Sequence, residues 1–345
     1  MPTREPGRPL IVPIFIVNQG CPHRCVFCQQ EKITSRAPLE MTPAAVASVL
    51  EEAVLSEGYD PGRLPEVAFY GGTFTGLAPE KMTAFLEAVI PFLKDGSFVS
   101  IRISTRPDAL DRQRLELLKR YGVSTVELGA QSMDDRVLEL SGRGHSAQDT
   151  VDAVALLRRY GFRVGIQLMP GLPGDSKRTF METVARVKAL APDMVRLYPT
   201  VVIRGTELAR RFESNQYTPW GLEEALHICK ESCIILEGAG IPVIRIGLMA
   251  SPALLKAGEI LSGPWHSAFG FLVRSAIHHE RIEPLLPGRG EAHTIRLRVP
   301  PREIPLVRGY RNQGIQHIEE RCGAKVVGVL PDESLQPGQI AVDRL

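Results

Sequence analysis

The 345-residue chain predicts an α/β fold: a partial (β/α)6 barrel of the TIM type, followed by a small α+β appendage. Three observations carry this expectation. Short apolar runs alternate with helical patterns from the N-terminus to about residue 240, the pattern of βα units around a parallel sheet. Glycine-, proline- and cysteine-rich segments follow the apolar runs, at the strand ends where βα loops build active sites. Beyond Gly247 the pattern changes, with Pro252, Gly258, Gly263 and Pro264 ahead of a linker-like stretch at 284–290. The expected organisation is a barrel over residues 1–250, a connecting or lid segment over 251–290 and a small α+β domain over 291–345.

Taken in order, strands are expected at 11–17, 67–70, 99–104, 125–130, 163–168 and 194–202. Helices are expected from Thr42-Pro43 and Ala78-Pro79, and over 115–121, 146–160, 176–190 and 222–238. Several open on a capping residue or an early proline and close on glycine, as at Tyr121-Gly122 and Tyr160-Gly161. The appendage reads as a strand at 293–299, a helix at 314–322, a strand at 324–330 and a short strand at 339–342. The chain contains no internal repeat and no low-complexity segment.

A formal charge of +2 gives the chain no polyelectrolyte character, so any contact with nucleic acid must come from a local patch. The apolar run at 10–17 is short, interrupted by Pro13 and followed by no small-residue cleavage site. No apolar stretch reaches the length of a bilayer span, so no membrane association and a cytoplasmic location are expected. Six cysteines, three of them clustered, fit a reducing compartment where thiols are kept for metal.

Those three lie in one loop, Gly20-Cys21-Pro22-His23-Arg24-Cys25-Val26-Phe27-Cys28. Thiolates are soft ligands, which select zinc, copper(I) or iron–sulfur. Structural zinc takes four closed ligands, usually in two separated pairs. Here the spacing is Cys-x3-Cys-x2-Cys, and the local candidate for a fourth ligand is His23. The residues favour an iron–sulfur cluster with one iron left open, ahead of a zinc site closed by His23 or a disulfide.

The loop resembles that of the radical S-adenosylmethionine (SAM) enzymes, in which Cys-x3-Cys-x-aromatic-Cys holds a [4Fe-4S] cluster. The resemblance implies Cys21, Cys25 and Cys28 as iron ligands, with the fourth iron chelated by the amino and carboxylate groups of SAM. It places Phe27 at the family's aromatic position near the adenine; a plain hydrophobic plug is the alternative.

Tyr70-Gly71-Gly72-Thr73 follows the second predicted strand, where two glycines allow close backbone approach. It is either an ordinary tight turn or, as the resemblance implies, the loop that holds the SAM ammonium through Gly71, Gly72 and Thr73. Glu127, Gln131 and Ser132, at the end of the fourth strand, are suited to a ribose diol or a zwitterion, or simply to satisfying loop backbone. Arg143, in Arg143-Gly144-His145, could take the methionine carboxylate in a two-pronged hydrogen bond or sit solvated on the surface. Gln167 on the fifth strand joins this cofactor-lining set, and Val202 and Ile203 on the sixth are expected against the adenine.

Gly71-Gly72-Thr73-Phe74, Ser104-Thr105-Arg106-Pro107-Asp108, Glu127 to Ser132, Arg143-Gly144-His145, Met169-Pro170-Gly171-Leu172-Pro173 and Tyr198 to Thr206 form an ordered series. Over roughly residues 10–250 it is similar to the catalytic subunit of Elongator, the Elp3 family. That family modifies the wobble uridine of tRNA with a radical SAM domain joined to an acetyltransferase domain. The sequence departs from it in three ways. The cysteine spacing is the short general form, Ser104 stands where glutamate is common, and the roughly 95 residues after Ala250 are too few and too differently patterned for an acetyltransferase.

Cys229 and Cys233 lie four apart on a predicted helix; with Cys322 they either form an auxiliary cluster or serve as small buried hydrophobes among Ile228, Ile234, Ile235 and Leu236. Residues 294–325 are locally basic, with Arg296, Arg298, Arg302, Arg308, Arg311, Arg321 and Lys325 against Glu303, Glu319 and Glu320. The stretch 307–315 and the helix after it resemble a KH module, which clamps single-stranded RNA at a glycine-bearing loop, although the glycine spacing differs. A lid on the barrel is the alternative.

The expectation is therefore a radical SAM enzyme. Its reduced cluster would cleave SAM to a 5′-deoxyadenosyl radical for hydrogen abstraction, with the electron supplied by a donor such as ferredoxin or flavodoxin. An RNA base, most of all in tRNA, leads as substrate. The alternatives are a porphyrin-pathway-like metabolite, or a non-catalytic iron–sulfur or RNA-binding protein.

Overall fold

The structure, a computed structural model, describes residues 9–35 and 41–345. Residues 1–8 and 36–40 of the expected barrel domain lie outside the described residues. Two compact units are present: the first comprises residues 1–221 and 235–265, the second 222–234 and 266–345. The expected connecting segment is thus shared, with 251–265 joining the barrel and 266–290 joining the C-terminal unit.

The first unit is built on β1 (Ile11–Phe15), α1 (Gln30–Thr34), α2 (Pro43–Val54), β2 (Glu66–Tyr70), α3 (Pro79–Lys94), β3 (Ser100–Thr105), α4 (Arg112–Arg120) and β4 (Val123–Gln131). It continues through α5 (Asp135–Leu140), α6 (Ala147–Arg159), β5 (Arg163–Leu168), α7 (Lys177–Leu190), β6 (Met194–Leu197), β7 (Val202–Ile203) and α8 (Glu207–Glu213). After α9 (Leu222–Gly238), which the unit boundary divides, come β8 (Val243–Ile246) and β9 (Ile260–Ser262). The main sheet has the order β1-β2-β3-β4-β5-β6-β8 with every neighbouring pair parallel, a curled partial barrel of the TIM type.

Local chemistry sets the element starts. Thr42 caps α2 ahead of Pro43, and Ser146 and Ser176 close capping boxes on α6 and α7. The apolar faces of sheet and helices meet in a core where Phe69 stacks on Phe85 at 6.0 Å and tilts against Phe74 at 4.8 Å.

Two departures from the expected strands have physical reasons. The run at 194–202 divides: β6 stops at Leu197, Pro199 offers no N–H to a ladder, and Val202–Ile203 pairs antiparallel with β9 in a separate ribbon. The sheet also carries a seventh strand, β8, whose four residues include an exposed arginine and gave no apolar run to recognise.

The second unit contains α10 (Phe269–Ile282), β10 (Thr294–Val299), α11 (Ile304–Arg308), α12 (Gln313–Cys322), β11 (Lys325–Pro331) and β12 (Ala341–Arg344). Its sheet has the order β11-β10-β12, with β10 parallel to β11 and antiparallel to β12. Alternate residues of β10 (Ile295, Leu297 and Val299) are fully buried against Ile282, Val307, Ile318 and Cys322.

Candidate active site: a three-cysteine loop locked to a glycine loop

The chain leaves β1 into the cysteine loop and is immediately tied to the loop after β2. Ile16 N–H donates to Tyr70 O at 2.8 Å, Asn18 N–H to Gly71 O at 2.8 Å, and Thr73 N–H to Gln19 O at 2.9 Å. The two backbones touch because both lack side chains at the contact. A Cβ on Gly20 (φ +73°) would collide with Thr73 O, and one on Gly72 would collide with Gln19 O and stand 2.6 Å from Ile16 O. The interlock brings Thr73 Oγ1 to 3.2 Å from Cys21 Sγ.

The other two cysteines are held from different elements. Arg143 is buried at 6 % exposure; its Nη1 donates to Cys25 Sγ at 2.9 Å and its Nη2 to Gly129 O at 2.5 Å. Gln30 reaches Cys28 Sγ at 3.7 Å. Val26 anchors the loop on both sides, donating to Ser141 O and accepting from Leu208 N–H. Burial, together with Cys25 and Cys21, pushes the Cys28 thiol up to about 12. Three thiolates gathered this way repel one another, and a positively charged iron cluster removes that penalty, so the donor set fits a [4Fe-4S] cluster.

The zinc alternative is disfavoured by the position of His23. Its Nε2 lies 3.2 Å from Arg106 Nη1, and because guanidinium only donates, that nitrogen is already an acceptor. Arg106 is itself fixed by a bidentate pair with Asp108 at 2.9 and 2.7 Å. Among the described residues no group of three His, Cys, Asp or Glu side chains is arranged to hold a single metal ion.

The residues expected around SAM fall into three groups. Gly71 to Thr73 adjoin the cysteine loop, with Gly71 O taken by Asn18 N–H and Thr73 O by Gly76 N–H, each carbonyl keeping a second lone pair. Arg143 Nε and Gln131 Oε1 are buried without partners among the described residues, a donor and an acceptor, which suits a zwitterionic ligand. Gln131 sits at φ +71° on the irregular end of β4. Ser132, by contrast, accepts Asp134 N–H at 3.1 Å and contacts Thr183 at 3.4 Å, which is loop support.

The apolar members are split. Phe27 and Val202 pack in one cluster with Val26, Leu208 and Tyr217, whereas Ile203 packs in another with Val201 and Leu254. Cys229, Cys233 and Cys322 are all buried, and Cys322 Sγ donates to Ile318 O at 3.0 Å.

Glu127 stands apart from the ribose role expected of it. It is 1 % exposed and bound by Arg102 at 2.9 Å, Arg196 at 2.6 Å and the Tyr70 hydroxyl at 3.0 Å, and Arg102 also binds Glu66 at 2.6 Å. Burial opposes the carboxylate charge, but Arg196 and Arg102 outweigh it and hold the pKa below the ordinary value. Burial, reinforced by the same carboxylate, drives the Tyr70 hydroxyl well above its usual range. Sequence reading missed Glu66, Arg102 and Arg196. The signal was a charged residue at the centre of two apolar strands, Ser100–Thr105 and Met194–Leu197.

A parallel partial barrel whose strand-end loops gather three cysteines defines an iron–sulfur enzyme of the SAM-dependent kind. The chain matches the Radical SAM superfamily model over residues 15–187 and the Radical_SAM C-terminal domain model over 192–279, and it belongs to the radical SAM superfamily. It is an enzyme, and the family's cofactors are a [4Fe-4S] cluster and SAM.

The chain is 28 % identical over 266 residues to the tRNA uridine(34) acetyltransferase of Methanocaldococcus infernus, which covers 66 % of this chain and 49 % of that protein. It thus spans about half the length of that relative. In fold it is similar to the Elp3 structure of the same archaeon, with a TM-score of 0.59, 24 % identity and coverage of 79 % of this chain and 63 % of that one. The radical SAM coproporphyrinogen III oxidase HemN of Escherichia coli gives a TM-score of 0.50, 21 % identity and coverage of 69 % and 54 %. Among the described residues no helix is long and apolar enough to cross a membrane.

Proposed function

We propose that the enzyme modifies a base in RNA, with tRNA as its first substrate. The similarity over 266 residues to a protein named for a tRNA uridine carries this reading. Supporting it, Arg302, Arg308 and Arg311 in the C-terminal unit are exposed and have no ion-pair partner among the described residues, whereas Arg298, Arg321 and Lys325 are paired. Arg308 ends α11 and Arg311 lies in the tight turn between α11 and α12, in which Gly309, Arg311 and Asn312 all have positive φ, while Arg302 precedes α11; this turn has a KH-like position for single-stranded backbone.

Cys21, Cys25 and Cys28 would hold the cluster, and Gly71 to Thr73, Gln131 and Arg143 would hold SAM. Together these cofactors supply one-electron cleavage of SAM and removal of a hydrogen atom from the substrate. The chain's own part is positional: Arg143 fixes Cys25 while presenting Nε, and Thr73 joins the ammonium loop to Cys21. The chemistry requires a one-electron reductant, for which a ferredoxin or flavodoxin is suited.

The test is anaerobic protein reconstituted with iron and sulfide, given dithionite, SAM and total tRNA. The expected result is 5′-deoxyadenosine formation above the RNA-free level and a mass-shifted nucleoside in the tRNA digest. Stimulation by a tetrapyrrole precursor and not by tRNA would instead establish the metabolite reading.

A further inference from the structure

Helix α1 is too short to hold itself in place. Its five residues close little more than one turn, and so short a helix is marginal in water without tertiary support. Gln29 gives it no side-chain cap, and it ends at Ser35 in a left-handed conformation, φ +51°. Yet α1 carries a group that touches a candidate iron ligand: Gln30 Nε2 donates to Cys28 Sγ at 3.7 Å. Gln30 Oε1 lies 3.6 Å from the place a Cβ on Gly71 would take. The Gln30 amide thus sits between the cysteine loop and the glycine loop, and contacts from elsewhere in the chain must keep it there.

Those contacts come from the far end of the barrel sequence. Ser251 Oγ donates to Lys32 O at 2.6 Å across 219 positions of chain, and Ala253 N–H donates to Ser35 Oγ at 2.8 Å. Lys32 Nζ pairs with Glu259 and donates to Arg204 O at 2.8 Å. The Lys32 and Glu259 side chains are each 23 % exposed, so salt screens this pair less than a pair on the open surface. Ile33 packs on Val201, Ile203 and Leu254. The segment supplying these anchors is itself fastened. Arg204 N–H donates to Glu259 O at 2.9 Å, Arg204 Nε donates to Gly258 O at 2.6 Å, and β9 pairs with β7. Residues 251–262 therefore grip the main chain of α1, its one cation and its isoleucine, and return to the β7–β9 ribbon.

We propose that residues 251–262 are a positioning strap for the cysteine loop, with Lys32 and Glu259 as its clasp, and that the strap tunes the reduction potential of the cluster by holding the Gln30 amide on Cys28. An N–H donated to a cysteine sulfur favours the more negative, reduced cluster, so losing the contact lowers the potential. Gln30 touches the ligand, and Lys32 and Glu259 act through Gln30. Removing the Lys32 ammonium takes a donor from both Glu259 and Arg204 O, whereas methionine keeps the apolar stem. The inference rests on the reading of Cys21, Cys25 and Cys28 as iron ligands.

The test is a redox titration of the reconstituted holoenzyme without SAM, with the reduced cluster read by electron paramagnetic resonance. Wild type is compared with Gln30→Leu, Lys32→Met, Lys32→Arg, Glu259→Ala and Arg112→Gln, each checked for iron content and melting temperature. At the wild-type midpoint, Gln30→Leu should lower the reduced-to-oxidised ratio by about 3-fold, and Lys32→Met and Glu259→Ala by about 2-fold. Lys32→Arg should keep the wild-type ratio, as should Arg112→Gln on the outer surface of α4. Lys32→Met added to Gln30→Leu should shift the ratio no further than Gln30→Leu alone, because the strap acts through that amide. If either Gln30→Leu or Lys32→Met keeps the wild-type ratio, or if their shifts add, the strap assignment is wrong and the cluster reading stands. If wild type takes up no cluster, both are wrong. Should Lys32→Met fold poorly or lose iron, Glu259→Ala and Ser251→Ala decide in its place.

Discussion

Single residues decide whether the cysteine loop can form. Gly72 needs no unusual φ; it needs empty space, because Gln19 O and Ile16 O occupy the position of a side chain. Gly72→Ala is therefore expected to displace the loop and lower the iron bound after reconstitution at least several-fold, measured by iron analysis and the visible absorbance of the cluster. His145 offers a test through pH. Burial, reinforced by Arg143, depresses its pKa from 6.5 to about 4, so between those values the unfolded chain binds more protons than the folded one. Stability should accordingly fall as pH drops through this window, by about 2 kcal/mol between pH 7.5 and 5. Urea unfolding at the two values checks this, and His145→Gln should flatten the difference.

At the scale of elements, helix starts were legible and strand partners were not. Ser176 accepts Thr179 N–H at 3.2 Å, while Thr179 Oγ1 accepts Ser176 N–H at 2.8 Å, a reciprocal cap visible in the sequence as a serine ahead of an amphipathic run. Ser176→Ala should cost about 1 kcal/mol in urea unfolding without altering cluster loading. Most barrel strands were recognisable as apolar runs. β8 was not, because a four-residue edge strand carrying Arg245 resembles a loop, and the end of β6 was overrun because Pro199 interrupts hydrogen bonding without interrupting hydrophobicity. The cysteine site was readable because its three ligands are local in sequence. The Glu66–Arg102–Glu127–Arg196 network was not, since each arginine reveals a buried charge but not which distant carboxylate answers it.

At the scale of the whole molecule, a formal charge of +2 still leaves room for a local patch: Arg308 and Arg311, at the α11–α12 turn, are exposed and have no ion-pair partner among the described residues. If Arg308 and Arg311 each contact one phosphate, replacing both by alanine should weaken RNA binding regardless of sequence. The slope of log affinity against log salt should become shallower by about 1.4, at 0.7 per single-strand phosphate. An unchanged slope would remove this turn from the RNA surface while leaving the barrel chemistry intact. Folding class and cofactor chemistry were thus accessible from sequence, and the distribution of free charge was not, because pairing is a property of the folded chain.

The crossed main-chain bonds between the first two strand-end turns also make each a reporter on the other. The amide protons of Asn18 and Thr73 point in opposite directions across the same seam, so deuterium should enter both at a common rate set by its opening. Iron loading, which clamps one side, should slow the clock on the side that holds no iron ligand at all.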